Sequence, residues 1–417
     1  MDRLAECRAN AMKTDISKLA VMGGTPQFDA PLHVGRPNLG NRERLLARIN
    51  EMLDNRWFSN NGPFVQEFEK KVAERIGVRH CIAMCNGTVA LEIAIRATGL
   101  RGEVIVPSFT FIATAHALQW QEITPVFCDI DPRTHLIDPA QVQRLITPRT
   151  TGIIGVHTWG QPCDIEALTQ IAARRGLTLL FDASHAFGGS YYGKMIGGFG
   201  AAEVFSFHAT KFFNTFEGGA IVTNNDDLAT KIRFMKNFGF RGYDDVEYIG
   251  TNGKMNEVCA AMGLTGLESL DEFVAHNRRN YLQYRHELAA LPGIRMLAWN
   301  ESERCNYQYI VLEMEEQLTE ISRDQLIQIL HAEHILARRY FYPGCHRMEP
   351  YRSFFPHAGL LLPETERLAR KIVVLPTGNA IGEEEVSGIC RIIWLAVTNG
   401  RALKEALSRR QKAADAR

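Results

Sequence analysis

Between about residues 76 and 225, short apolar runs alternate with longer helical patterns, and few folds accommodate that rhythm. The runs are "HCIAMC", "EVIVP", "TPVFCDI", "GIIGVHT", "LTLLFDA", "VFSFH" and "GGAIVTN". Helical patterns such as "TVALEIAIRATG" and "DIEALTQIAARRGL" fill most of the gaps. The alternation predicts an α/β unit with right-handed crossovers and a large, mostly parallel sheet, seven-stranded if every run pairs. The runs are nearly continuous in apolar character, as strands covered on both faces must be. From about residue 255 the pattern turns helical, and "LPGI" then punctuates it. Strand patterns ("YQYIVLEM", "KIVVLP") then mix with helical ones ("SRDQLIQILHAEH", "GEEEVSGICRIIWLAV"), which predicts a smaller α+β unit. The expected division is an N-terminal extension over 1–25, a large unit over 26–270 and a small C-terminal unit over 271–417. A chain of 417 residues suits two cores of this kind.

Charge excludes some classes of partner. Lys plus Arg equals Asp plus Glu at 47 each, so neither a nucleic acid nor an acidic membrane is expected as a partner. No apolar run approaches the length that crosses a bilayer. The first residues, "MDRLAECRANAMKTDISKLAVMGG", carry charges throughout and do not read as a signal peptide. The nine cysteines are scattered and mostly set in apolar stretches, and the closest pair, Cys81 and Cys85, has neither zinc nor redox spacing. They read as buried reduced thiols, and the expected location is the cytoplasm. His331 and His334 share a helical face but have no third ligand at a sensible spacing, so no metal is expected.

In an open α/β sheet, ligands bind beyond the carboxyl ends of the strands. "MCNGTVAL" ends a strand and opens a helix with Asn86, Gly87 and Thr88. Glycine for close approach, a hydroxyl and free helix N–H groups make a phosphate site, although an ordinary helix cap has the same composition. "LLFDASH" puts Asp182 behind three apolar residues and His185 three residues on. A carboxylate there needs a partner, or caps a helix. "FSFHATKFF" sets Lys211 among aromatics. It is a Schiff-base amine if burial lowers its pKa, and otherwise a surface cation. In this order the residues match the needs of pyridoxal phosphate: a lysine, an acid for the pyridine nitrogen, a phosphate cup and a stacking aromatic. "VPSFTFIATA" supplies the aromatics.

These residues resemble the DegT/DnrJ/EryC1 family of pyridoxal-phosphate sugar aminotransferases, a branch of the fold-type I, aspartate aminotransferase-like enzymes. The resemblance spans roughly residues 30–395 and also rests on "NNGPFVQEFE", "FCDID", "GQPCDIEAL", "FDASHAFG", "EGGAIVTN", "NGKMNEVCAAMGL" and "YPGCH". It implies that Lys211 is the Schiff-base lysine and Asp182 the pyridine-nitrogen partner. Phe111 takes the place of the stacking aromatic, ahead of Phe109. Gly87, Thr88 and Ser206 resemble the phosphate contacts, and His185 a histidine beside the ring. Gln161 is placed near the cofactor oxygen. Asn252 resembles an asparagine supplied by the neighbouring subunit, which implies a homodimer with shared active sites. Asn86 stands where many relatives have serine. A dehydratase branch replaces the lysine with histidine, so the presence of Lys211 argues for transamination. "SFHATKFFNTFEGGAIV", "TNGKMNE" and "KNFGF" look most like 4-aminotransferases that act on dTDP-4-keto-6-deoxyglucose. The implied donor is L-glutamate, with the cofactor cycling through pyridoxamine phosphate. For the sugar nucleotide the expected contacts are the "FSNNGP" loop, with Ser59, Asn60, Asn61 and Gly62, and His346 in "YPGCHRMEPY". The loop reads equally as a plain Gly-Pro turn, and His346 reads also as a satisfied core histidine.

Overall fold

The computed structural model describes residues 10–415. All seven expected runs are strands of one sheet: β1 (His80–Met84), β2 (Glu103–Pro107), β3 (Thr124–Cys128), β4 (Thr150–Val156), β5 (Thr178–Asp182), β6 (Ala202–Ser206) and β7 (Gly219–Thr223). Their order is β1-β7-β6-β5-β4-β2-β3, and β7 alone runs antiparallel to its neighbours. The order explains the composition. β7 and β2 are buried at every position, as interior strands covered by helices must be.

Helix α1 (Pro63–Ile76) starts with proline at its first position, where the missing N–H is no loss. It packs with α3 (Glu257–Glu268) on one face of the sheet. On the other face lies α2 (Gly87–Ala97), whose Asn86 cap accepts from Val89 N at 2.8 Å. The face carrying α1 holds an aromatic cluster. Phe187 and Phe213 stack at 4.7 Å, and Phe68 meets Phe207 edge-on at 5.8 Å. Phe205, Phe207, Phe212 and Phe213 are all buried. The aromatics around Lys211 in the sequence are therefore anchors. Each contributes about 1.5–3 kcal/mol by burial, which fixes the loop that carries the lysine.

Helix α4 (Leu270–Leu288) joins the two cores. Its Leu270 and Phe273 lie in the first, its Tyr281, Tyr284 and Leu288 in the second. The second core covers the three-stranded antiparallel sheet of β8 (Ile294–Met296), β9 (Ile310–Met314) and β10 (Ile372–Leu375), with α5 (Glu383–Thr398) packed on α4. Leu19, Phe28 and Leu32 are buried in this second core, although the sequence assigned residues from 26 onward to the large unit. Leu32–His33 also pairs with Ile335–Leu336. The described part of the N-terminal extension is held by Glu333, buried and accepting from Lys13 Nζ (2.5 Å), Ala20 N and Gln27 N (both 2.7 Å). Residues 1–9 of that extension lie outside the described residues. The eight described cysteines are unpaired. Among the described residues no helix is long and apolar enough to cross a membrane.

Candidate active site

A cavity of about 590 Å³ opens at the carboxyl ends of β1, β5 and β6. Asn86, Gly87 and Thr88 line it from the start of α2, Asp182, Ser184 and His185 from the end of β5, and Ser206, His208 and Lys211 from beyond β6. The sequence order thus becomes one constellation, because parallel strands deliver their carboxyl ends to the same edge.

Lys211 opens onto the cavity but is surrounded by protein. Desolvation lowers its pKa from 10.5 to about 8, against the pull of the nearby Asp182 carboxylate. Its amine therefore gives up its proton far more readily than a surface lysine would. Asp182 is held by Thr114 Oγ1, donating to Oδ2 at 2.9 Å, and by Ser184 N, donating to Oδ1 at 3.1 Å. The hydroxyl and the amide fix its orientation in a nearly closed position. His185 is buried, parallel to Phe341 at 5.9 Å and edge-on to Tyr309 at 4.9 Å. Burial, then Lys211, drives its pKa well below the usual range, so the imidazole is neutral. Its Nδ1 is buried without a partner among the described residues.

The cradle by α2 is as tight as a phosphate site requires. A Cβ on Gly87 would sit 2.9 Å from Ser206 Cβ, and one on Gly219 2.8 Å from the Asn86 carbonyl. Asn86 satisfies Val89 N, which leaves the N–H groups of Gly87 and Thr88 without acceptors in the helix. Phe109 and Phe111 are separated clearly. Phe109 is buried against Trp159 (5.9 Å) and Phe341 (5.6 Å), while Phe111 is 57% exposed and lines the cavity. An amine that deprotonates easily, a fixed carboxylate, a glycine cradle, an open aromatic face and an unpartnered buried nitrogen fit pyridoxal phosphate.

Several expected residues lie elsewhere. Gln161 donates from Nε2 to Ala298 O at 3.0 Å and does not line the cavity. Trp159 and Gly160, both left-handed (φ 66° and 94°), turn the chain away after β4. His346 is buried between Ser108 Oγ (2.7 Å from Nδ1) and Glu366 Oε1 (2.8 Å from Nε2) and lines neither this cavity nor the one beside it. In this chain it ties the β2 end to the small unit. Ser59, Asn60, Asn61 and Gly62 form the turn into α1. Asn60 and Asn61 are left-handed, and Glu257 caps the helix through Phe64 N (2.8 Å) and Val65 N (3.0 Å). The turn lines neither this cavity nor the one beside it. Asn252 is exposed in a short bridge to Asn237, also outside the cavity. Conversely, Thr114, Tyr309, Tyr340, Phe341 and Glu217 were not singled out. "FTFIATA" and "RRYFYP" contain three of them, but nothing in their spacing marks which side chains turn inward.

Fold and site together define a pyridoxal-phosphate-dependent aminotransferase of fold type I. Residues 40–394 match the DegT/DnrJ/EryC1/StrS aminotransferase family, and the chain belongs to it. The chain is 39% identical to the dTDP-4-amino-4,6-dideoxy-D-glucose transaminase of Shigella dysenteriae, over 84% of this chain and 94% of that one. It is 40% identical to the GDP-perosamine synthase of Caulobacter vibrioides, over 77% and 86%. The crystal structure of DesI, solved in the presence of its TDP-sugar product, superposes with a TM-score of 0.90 at 49% identity, covering 94% of this chain and 99% of DesI. The chain is a sugar aminotransferase, and its cofactor is pyridoxal phosphate.

Proposed function

We propose that this enzyme transfers the amino group of L-glutamate to C4 of dTDP-4-keto-6-deoxyglucose, giving dTDP-4-amino-4,6-dideoxyglucose for deoxyaminosugar synthesis. The observation that carries the reading is the 39% identity to a dTDP-4-amino-4,6-dideoxy-D-glucose transaminase over 84% of this chain, and DesI, 49% identical and solved with a TDP-sugar product, supports it. The 40% identity to a GDP-perosamine synthase favours, as a second reading, a GDP-linked ketosugar.

When bound, pyridoxal phosphate supplies the carbonyl that takes the amino group and the ring that withdraws electrons from the adjacent carbon. Lys211 would hold it covalently, Asp182 its ring nitrogen and Phe111 its face. Gly87, Thr88 and Ser206 would hold its phosphate. Lys211 Nζ then takes the proton released at the donor's α-carbon and holds it for return, which its lowered pKa permits near neutral pH. Asp182, oriented by Thr114 and Ser184, would stabilise positive charge on its side of the cavity. Neutral His185 offers a hydrogen-bonding nitrogen without adding a second cation beside Lys211. The exposed Asn252, outside its own chain's cavity, supports a homodimer in which each subunit completes the other's site.

The test is spectroscopic. Adding L-glutamate to the holoenzyme should bleach its visible band, and dTDP-4-keto-6-deoxyglucose should restore it. Restoration by a GDP-linked ketosugar and not by the dTDP one selects the second reading. No response to either sugar rejects both.

A further inference from the structure

Lys211 sits on the loop between β6 and β7, and the residue after it is tied from outside that loop. The Phe212 amide, which belongs to the Lys211–Phe212 peptide, donates to Gln308 Oε1 at 3.3 Å. The Phe212 carbonyl accepts from Asn38 Nδ2 at 2.9 Å. Neither group has a main-chain partner among the described residues. Asn38 and Gln308 are 2% and 7% exposed, so solvent is not at hand to replace them. Both are themselves fixed. Asn38 Oδ1 accepts from Asn379 N and Asn38 O from Asn214 Nδ2, each at 2.9 Å. Gln308 N donates to Asn306 Oδ1 at 3.0 Å. On the other side of Lys211 the same N-terminal segment returns. A Cβ on Gly35, whose φ is 74°, would sit 2.6 Å from the Thr210 carbonyl oxygen.

We propose that Asn38 and Gln308 are positioning residues for proton transfer, holding the Lys211 backbone so that Nζ reaches the donor's α-carbon. The proposal rests on the reading of Lys211 as the lysine that binds the cofactor. That lysine has two tasks, to hold the cofactor and then, released, to carry the proton. Once it is released, only the place of its Cα limits where the flexible stem can take Nζ. Burial of the neighbouring aromatics is non-directional and does not set the rotation of the peptide. Hydrogen bonds to both main-chain groups of Phe212 do. Asn379 follows β10 and Gln308 precedes β9, so both ties lead to the small unit, which also supplies Tyr309, Tyr340 and Phe341 to the cavity. A buried main-chain group without its partner costs about 1–3 kcal/mol, which favours a turn of the peptide toward another one. A shift of about 1 Å at a reacting group can cost on the order of 100-fold in rate.

The test follows glutamate-driven bleaching of the holoenzyme in wild type, Asn38→Ala, Gln308→Met and, as a control, Asn280→Ala. Gln308→Met keeps the stem and loses the amide. Asn280 is buried between Thr377 Oγ1 (3.3 Å) and Ile381 O (3.0 Å), away from the lysine loop. At saturating L-glutamate, bleaching in the first two variants should slow about 10- to 100-fold. The glutamate concentration for half-maximal rate should not change, and an unaltered visible band would show that the fold and cofactor site are intact. The slowed step should be the proton transfer, so α-deuterated glutamate should bleach these variants more slowly than ordinary glutamate. Asn280→Ala should melt at a lower temperature and bleach at the wild-type rate. A wild-type rate in Asn38→Ala or Gln308→Met refutes the proposal for that residue. Slowing that is equal for the two glutamates, or matched by Asn280→Ala, refutes it for both and leaves them a structural role. A wild-type holoenzyme with no visible band, or with one that no amino donor bleaches, overturns the reading of Lys211, and this proposal with it.

Discussion

Burial of Lys211 lends itself to a measurement that does not depend on substrate. In the cofactor-free protein the amine titrates at about 8, against 10.5 in the unfolded chain. The gap of about 2.5 units corresponds to roughly 3 kcal/mol. The sign follows from proton counting. Between pH 8 and 10.5 the unfolded chain keeps its proton and the folded one has lost it, so stability rises with pH through that window. Below pH 8 both forms are protonated, and the full penalty of a buried cation is present. Lys211→Met keeps the stem and removes the charge. At pH 7 the cofactor-free variant should melt about 3–4 °C above cofactor-free wild type. Most of that advantage should be gone by pH 10. Melting curves by circular dichroism at pH 7, 8, 9 and 10 provide the comparison. Lost packing shifts the variant equally at every pH, so only the slope of the difference reports the charge. A difference that does not change with pH would refute the argument that burial governs this lysine.

Two further perturbations address the cradle and the inter-unit tie. Gly87→Ala places a methyl group 2.9 Å from Ser206 Cβ, and should weaken retention of pyridoxal phosphate about 10- to 100-fold in an absorbance titration. Unchanged affinity would mean that the phosphate does not approach this backbone. His346→Ala removes the side-chain partner of the buried Ser108 Oγ, at about 1–3 kcal/mol, while Glu366 keeps Arg347 and Arg370, and should lower the melting temperature while leaving the sugar KM unchanged. A raised KM with an unaltered melting temperature would make His346 a substrate contact after all.

The sheet was legible because its strands are interior. An interior strand covered on both faces has no polar face, so β2, β5 and β7 stand out as apolar runs without any knowledge of their neighbours. Lys211, Asp182 and Gly87 were legible for a related reason: each interrupts or ends such a run at the edge where ligands bind. Contributions from the small unit were not. Tyr340 and Phe341 reach the site through packing, and an aromatic in "RRYFYP" reads the same whether it faces a cavity or a core. His346 and Gln161 show the converse. Polar residues next to recognisable motifs can serve the scaffold, and only their partners, Ser108, Glu366 and Ala298 O, reveal it. The placement of Leu19, Phe28 and Leu32 was hidden for want of any local signal, since their partners lie some three hundred residues away.

That last arrangement bears on biosynthesis. Lys13 and the carboxylate it meets, Glu333, are 320 residues apart. At about 5–20 residues per second, the ribosome makes the first roughly 15–60 s before the second. Throughout that interval the whole seven-stranded sheet is made, while the N-terminal segment, with Leu19, Phe28 and Leu32 intended for a core that does not yet exist, has nowhere to dock. The newborn chain therefore carries an adhesive N-terminus for most of its synthesis. It is during translation, more than in the finished enzyme, that a chaperone holding this segment would make the difference between product and aggregate.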